Sequence, residues 1–153
     1  MLIKLVPSAN APLDLLLEAD PSADNIRRYL ENSSCYVATI GNETVGAYAI
    51  QSMGGGVHEL MNIAVAPAHQ GKGIGAKLLE HAVNSTRERG ARRLELGTGT
   101  FGYQLTFYQR AGFRVIAVER DYFLTHYDEP IYENGIQHKD QLRLAINFDR
   151  ALY

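Results

Sequence analysis

The sequence contains a single cysteine, Cys35, so no internal disulfide can form, and a reducing intracellular setting is the simplest expectation. It has no surplus of one charge: 15 Lys and Arg stand against 17 Asp and Glu, a net charge of −2. That balance supplies no electrostatic drive towards nucleic acid. No apolar run approaches the ~18 residues of a membrane span. Residues 1–11 carry only Lys4 as a positive charge and do not read as a secretion signal. The expectation is a cytoplasmic protein with neither a membrane nor a nucleic-acid partner. Internal repeats, low-complexity tracts and interdomain linkers are also lacking. The histidines (His58, His69, His81, His126 and His138) form no i, i+4 pair and no cluster with cysteine, so no metal site is expected.

What is there is 153 residues, 46% hydrophobic and 21% charged, the size and composition of one globular domain with its own core. A single domain over residues 1–153 is expected, too short to hold a dinucleotide domain and a separate substrate domain. Residues 2–6 read as a strand ended by Pro7, and residues 13–19 and 23–32 as short helices parted by Asp20-Pro21-Ser22. Residues 35–40 and 44–51 read as a hairpin about Gly41-Asn42-Glu43. After Gly54-Gly55-Gly56, residues 58–65 form a strand stopped at Pro67. Residues 71–89 form an amphipathic helix: Ile74, Leu78, Leu79, Ala82 and Val83 share one stripe, and Gly90 caps it. A strand over residues 92–96 runs into a loose Gly97-Thr98-Gly99-Thr100. A helix over residues 103–111 follows, then strands over residues 113–118 and 141–148. Residues 121–140 form a loop with a small hairpin at Asn134-Gly135. The pattern predicts an α+β fold, a mixed sheet with helices on its faces.

The segment Gln70-Gly71-Lys72-Gly73-Ile74-Gly75 carries the most chemical information. Glycine lets a ligand approach the backbone, and the first N–H groups of a helix are unpaired and lie at the positive end of its dipole. Such a turn suits a phosphate or pyrophosphate, with Lys72 adding local positive charge. A tight turn packed against the sheet is the structural alternative. No Lys-Ser or Lys-Thr follows, so the P-loop pattern fails. A GxGxxA dinucleotide pattern matches at residues 71–76, with Glu95 about 20 residues on. Against it, the strand ends at Pro67, several residues before the glycines.

With the strand Ile63-Ala64-Val65-Ala66-Pro67 upstream and Phe107-Tyr108-Gln109-Arg110-Ala111-Gly112-Phe113 downstream, this segment resembles the GNAT superfamily of N-acetyltransferases. The likeness covers roughly residues 35–120 and is weak in the N-terminal helices and in residues 121–140. It implies a mostly antiparallel sheet with two splayed strands, flanked by helices. It implies acetyl-CoA as co-substrate, with its pyrophosphate on the backbone of Gln70, Gly71, Lys72, Gly73, Ile74 and Gly75. The pantetheine arm would lie along Ile63, Ala64 and Val65 as an added strand. Many members carry an asparagine where this sequence has Phe101. Thr100 or Gln104 is the candidate replacement. Dimers are common in the superfamily, so a homodimer is an open expectation.

Acetyl transfer needs an amine that has lost a proton, donors for the oxyanion and an acid for the leaving thiolate. By the resemblance, Glu59, 11 residues before Gln70 as in some members with a catalytic glutamate, is the candidate base. The structural alternative is a carboxylate paired with a neighbouring cation or one that merely attracts the amine. Backbone N–H groups freed by a bulge around residues 63–65 are the expected oxyanion donors. By the resemblance, Tyr108 is the general acid or thiolate-positioning group, its alternative being a packed helix tyrosine. Cys35, without a nearby histidine, reads as a buried structural thiol.

The acceptor side is expected on the N-terminal helices and on residues 121–140. These bring Asp20, Asp24, Glu31, Asp128, Glu129 and Glu133 together with Tyr122, Tyr127 and Tyr132. Asp128, Glu129 and Tyr127 are the candidate substrate contacts, suited to a cationic amine: a small amine, polyamine, amino sugar or peptide amine. A solvated acidic loop is the alternative. Three functions stay open: an acetyl-CoA-dependent N-acetyltransferase, a non-catalytic acyl-CoA sensor on the same fold, and a minimal dinucleotide-binding oxidoreductase.

Overall fold

The computed structural model describes residues 1–149. The last residues of the expected 1–153 domain lie outside the described ones. In chain order the elements are β1 (Leu2–Val6), α1 (Leu13–Leu16), α2 (Ala23–Leu30), β2 (Ser33–Ile40), β3 (Glu43–Gly54), β4 (Val57–Val65), α3 (Ile74–Glu88), β5 (Arg93–Gly99), α4 (Tyr103–Arg110), β6 (Arg114–Glu119), α5 (Tyr122–His126), β7 (Tyr132–Glu133), β8 (Ile136–Gln137) and β9 (Gln141–Asn147). Alternation along β2 sends Tyr36 and Ala38 into one apolar cluster and Cys35 and Val37 into another. The first cluster lies under α3 and α4, where Leu78 and Leu79 are almost wholly buried; the second lies under α1 and α2, around Leu16 and Ile26. Truncating Leu78 to alanine would cost roughly 2–5 kcal/mol.

Between the helical layers runs a seven-stranded sheet in the order β1–β2–β3–β4–β5–β9–β6. Every neighbouring pair is antiparallel except β4 and β5, which are parallel. Their ladder lasts only three residue pairs, Val57↔Arg93, His58↔Leu94 and Glu59↔Glu95. Beyond it the strands diverge: β4 stays on β3 through Val65, and β5 stays on β9 through Gly99. A bulge accompanies the fork. Ala49 faces Asn62 and Ile50 faces Leu60, so Met61 has no partner. The bulge therefore lies at Met61, before the expected residues 63–65, and bends β4 away from β5.

Several boundaries shift for identifiable reasons. Residues 97–99, expected to be loose, are strand, because β9 pairs with them through Gln141. Glycine leaves room there: a Cβ on Gly97 would strike the Gln141 amide, and one on Gly99 the His138 ring. Helix α3 begins at Ile74, after a 3-10 turn at Pro67–His69, because Gly71 and Gly73 have φ of 78° and 82°. Helix α1 stops at Leu16, and a short helix, α5, forms within the expected loop. The Asn134-Gly135 turn does join a hairpin, β7–β8, with both residues at positive φ. Among the described residues no helix is long and apolar enough to cross a membrane.

Candidate active site

Where β4 leaves β5, its residues 60–65 keep an edge without a ladder partner on the β5 side. A cavity of about 620 Å³ runs along this edge and under the glycine turn. Of the residues expected to bind acetyl-CoA, Ile63, Ala64, Val65, Gln70, Gly71, Gly73, Ile74, Gly75 and Gln104 line it, together with Tyr108. A Cβ built on Gly71 or Gly73 would meet nothing among the described residues within 4 Å. Packing against the sheet therefore does not explain these glycines; left-handed φ and open space for a ligand do. The Ile74 end of α3 has no side-chain cap, so its first N–H groups face the turn unspent. Gln70 fixes the turn by donating from Nε2 to the Val65 carbonyl at 3.1 Å. This bare edge and uncapped cradle fit a pantetheine arm and a pyrophosphate.

Two expected contacts lie elsewhere. Lys72 is exposed and stands off the cavity wall; the cation in the wall is Arg110 of α4. Thr100 is exposed and off the wall too; of the two candidate replacements for the family asparagine, Gln104 lines the cavity. Phe101 itself stacks on His138, with ring centroids 4.2 Å apart.

A second cavity, of about 430 Å³, opens on the fork between α2, α5 and the ends of β5 and β9. It shares Ala19 and Gln104 with the first, so the two meet at the fork. Its walls include Asp20, Tyr29, Glu59, Tyr122, Phe123, His126, Tyr127 and Gln141. Asp20 is buried and accepts from the Ser22 N–H at 3.1 Å, the Tyr127 hydroxyl at 3.2 Å and the Tyr29 hydroxyl at 3.4 Å. Burial, reinforced by the Asp20 charge, pushes the Tyr127 phenol far above its ordinary value. Burial does the same to Tyr29, against an opposing hydrogen bond from Asn62. Both therefore stay protonated as donors. Tyr122 is raised by burial and then by Glu119, Glu59 and Asp20, so three carboxylates act on one ring. Of the candidate substrate contacts only Tyr127 lines this cavity; Asp128 and Glu129 are exposed and outside it.

Tyr108 sits on α4, 8% exposed, packed beside Phe107 and edge-on to Phe113. Burial pushes its phenol well above the usual tyrosine value, so it remains a proton donor across neutral and alkaline pH. Glu59 faces the second cavity, but its oxygens accept from Arg143 at 2.9 and 3.3 Å. The same guanidinium donates to Glu95 at 3.1 Å and lies 3.6 Å from Glu119. Glu59 is thus paired with a cation in this structure. Burial raises the Cys35 thiol to about 11, which keeps it a protonated core group. Among the described residues no group of three or more His, Cys, Asp or Glu side chains stands close enough to hold a metal ion.

Sequence reasoning missed Tyr29, Asn25, His126, Gln141 and Arg110 as cavity residues. Only Asp20 left a local signal: Asp-Pro-Ser before a helix is the Asx-turn and N-cap pattern that turns its carboxylate inward, with Ser22 capping α2 through Asn25.

A family model described as the acetyltransferase (GNAT) domain matches residues 31–115. Among relatives, an uncharacterized N-acetyltransferase, YvbK, of Bacillus subtilis (strain 168) is 44% identical over 135 residues, 88% of this chain and 87% of its own length. The solved structure of an IAA acetyltransferase from Bacillus cereus ATCC 14579 is 44% identical, with a TM-score of 0.92 over 96% of this chain and 99% of that one. A GNAT family acetyltransferase from Elizabethkingia anophelis, solved with acetyl-CoA bound, is 36% identical, with a TM-score of 0.92 over 96% and 97%. The chain belongs to the GNAT acetyltransferase family. The oxidoreductase and sensor readings draw no support from these relatives.

Proposed function

We propose that this protein transfers the acetyl group of acetyl-CoA to a primary amine by direct attack on the thioester. The observation that carries the reading is the meeting of two cavities at the fork. One is floored by the free β4 edge and the glycine cradle, and the other is walled by carboxylates and phenols. The fit of the first cavity and the acetyl-CoA held by the Elizabethkingia relative support the choice of donor.

Acetyl-CoA supplies an activated acyl carbon. The chain's own groups do the rest. The cradle of residues 70–75 holds the phosphates, and the free edge at Ile63, Ala64 and Val65 orients the arm, so that the acyl carbon lies near Gln104 and Tyr108. The amine enters from the second cavity, releases one proton to bulk water before it attacks, and loses a second from its nitrogen as the amide forms, which replaces the proton that Tyr108 gives up. A C–N bond forms, the C–S bond breaks, and the sulfur leaves with the bonding pair. Tyr108, held protonated by burial, gives that sulfur its proton. Glu59, bound to Arg143, contributes negative charge to the amine's path while it anchors β4.

The test is release of free thiol from acetyl-CoA with a panel of amines, alongside thermal shifts with acetyl-CoA, CoA and NAD. Stabilisation by the coenzyme A species and amine-dependent thiol release are expected. Stabilisation by NAD alone, or acetyl-CoA binding without thiol release for any amine, refutes the assignment.

A further inference from the structure

The second cavity contains an imbalance that the proposed reaction leaves unused. Asp20 is 7% exposed, yet among the described residues its hydrogen-bond donors are all neutral: one backbone N–H and two phenols. Among the described residues no cation lies within ion-pair distance of it, and Arg28, in the same wall, donates to Asn25 instead. A buried carboxylate is costly unless a positive charge accompanies it. Glu59, by contrast, already has Arg143.

A second group points the same way. Gln141 is 7% exposed, lines this cavity, and its buried Oε1 has no hydrogen-bond partner among the described residues. A Cβ on Gly97 would strike its amide, so the glycine leaves the amide its room. The rings of Tyr29, Tyr122, Phe123 and Tyr127 complete the wall. A carboxylate, an amide oxygen and aromatic faces all match one partner chemistry, a compact cation bearing N–H donors. A volume of about 430 Å³ suits a small molecule.

We propose that Asp20 is the specificity-determining residue of the acceptor site and binds the ammonium group of a small alkylamine at the fork. This rests on the acetyltransferase reading above and narrows its acceptor to amines that arrive as cations. Ala19, the neighbour of Asp20, touches both cavities, so an ammonium held by Asp20 stands next to the acetyl-CoA channel.

The test compares ethylamine, cationic at neutral pH, with trifluoroethylamine, of similar size and largely uncharged there. Binding to the CoA-loaded protein is read by ligand-observed NMR, and KM is read from acetyl transfer. The wild type is expected to favour ethylamine. Asp20→Asn is expected to weaken ethylamine about 10- to 100-fold in both readouts and to leave trifluoroethylamine within about twofold. Tyr127→Phe, which removes one donor to Asp20 and keeps the ring, is expected to shift the same preference by a smaller factor, and it serves if Asp20→Asn does not fold. CoA-induced thermal stabilisation reports folding of either variant. Equal losses for both amines, no loss for either, or no preference in the wild type overturns the assignment. Acetyl transfer to no amine, with the binding preference intact, overturns the acetyltransferase reading and leaves the Asp20 site standing.

Discussion

Arg143→Met tests how the fork is held. Glu59 and Glu95 face each other across the last rung of the β4–β5 ladder, so two like charges stand where the strands separate. Arg143, from β9, bonds both. The side chains are 17–18% exposed, so this is a mostly buried cluster. Removing one partner of a buried ion pair costs roughly 3–5 kcal/mol, because the other charge is left uncompensated. Arg93 also reaches Glu95, at 3.3 Å, and would retain part of the compensation. Allowing for that and for the residual solvent access, the loss should be about 2–4 kcal/mol. For a chain of this length that lowers the Tm by about 5–15 °C. Urea denaturation is the assay, read as a shift in midpoint at unchanged slope. Adding Glu59→Gln to Arg143→Met should recover about 1 kcal/mol or more, since it removes the charge left unpaired. Acetyl-CoA KM should rise with the first substitution, because the free β4 edge is set by the fork. A loss below about 0.5 kcal/mol, or a double variant no more stable than the single one, refutes the clamp.

Tyr108→Phe keeps the packing with Phe107 and Phe113 and should lower kcat by about 100-fold or more with little change in CoA affinity; unchanged kcat across a pH–rate profile removes the acid role. Because burial raises the Tyr108 phenol, the native state holds that proton longer than the unfolded chain. Its contribution to stability is therefore present below the ordinary tyrosine value near ~10 and fades only as pH rises above it, which alkaline denaturation of wild type and Tyr108→Phe should resolve. Gly73→Ala, at φ 82° with open space around its Cβ, should cost about 1 kcal/mol in the ligand-free protein and weaken CoA about tenfold or more by calorimetry. A loss of stability with unchanged CoA affinity would assign Gly73 to the turn alone. Asp128→Asn combined with Glu129→Gln alters exposed residues outside both cavities and should leave the amine KM within about twofold, whereas a tenfold rise would return the acceptor contact to that loop.

What could be read in the sequence was what neighbouring residues decide among themselves. The hairpin about Gly41, the glycines before α3, the Leu78 stripe and the Asn134-Gly135 turn each follow from local steric or periodic rules, and each is found. The fork was legible only through the family resemblance. It depends on a ladder that ends at Glu59↔Glu95 and on a bulge at Met61, and both are set by which strands meet. Glycines at 97 and 99 look like looseness in a one-dimensional reading. In three dimensions they are the space into which Gln141 and His138 fit. The lining of the second cavity was hidden for the same reason. Counting carboxylates favoured the run at Asp128 and Glu129, but charge in water is ordinary, and the informative carboxylate is one that folding takes out of water. Glu59 and Asp20 both satisfy that description, and only the partner separates them. Arg143, 84 residues away, spends itself on Glu59. Among the described residues Asp20 has neutral donors alone, which is why the proposed ammonium site falls on it. The proposed acceptor preference thus rests less on the amount of acidic surface than on one buried carboxylate that the described residues leave without a cation.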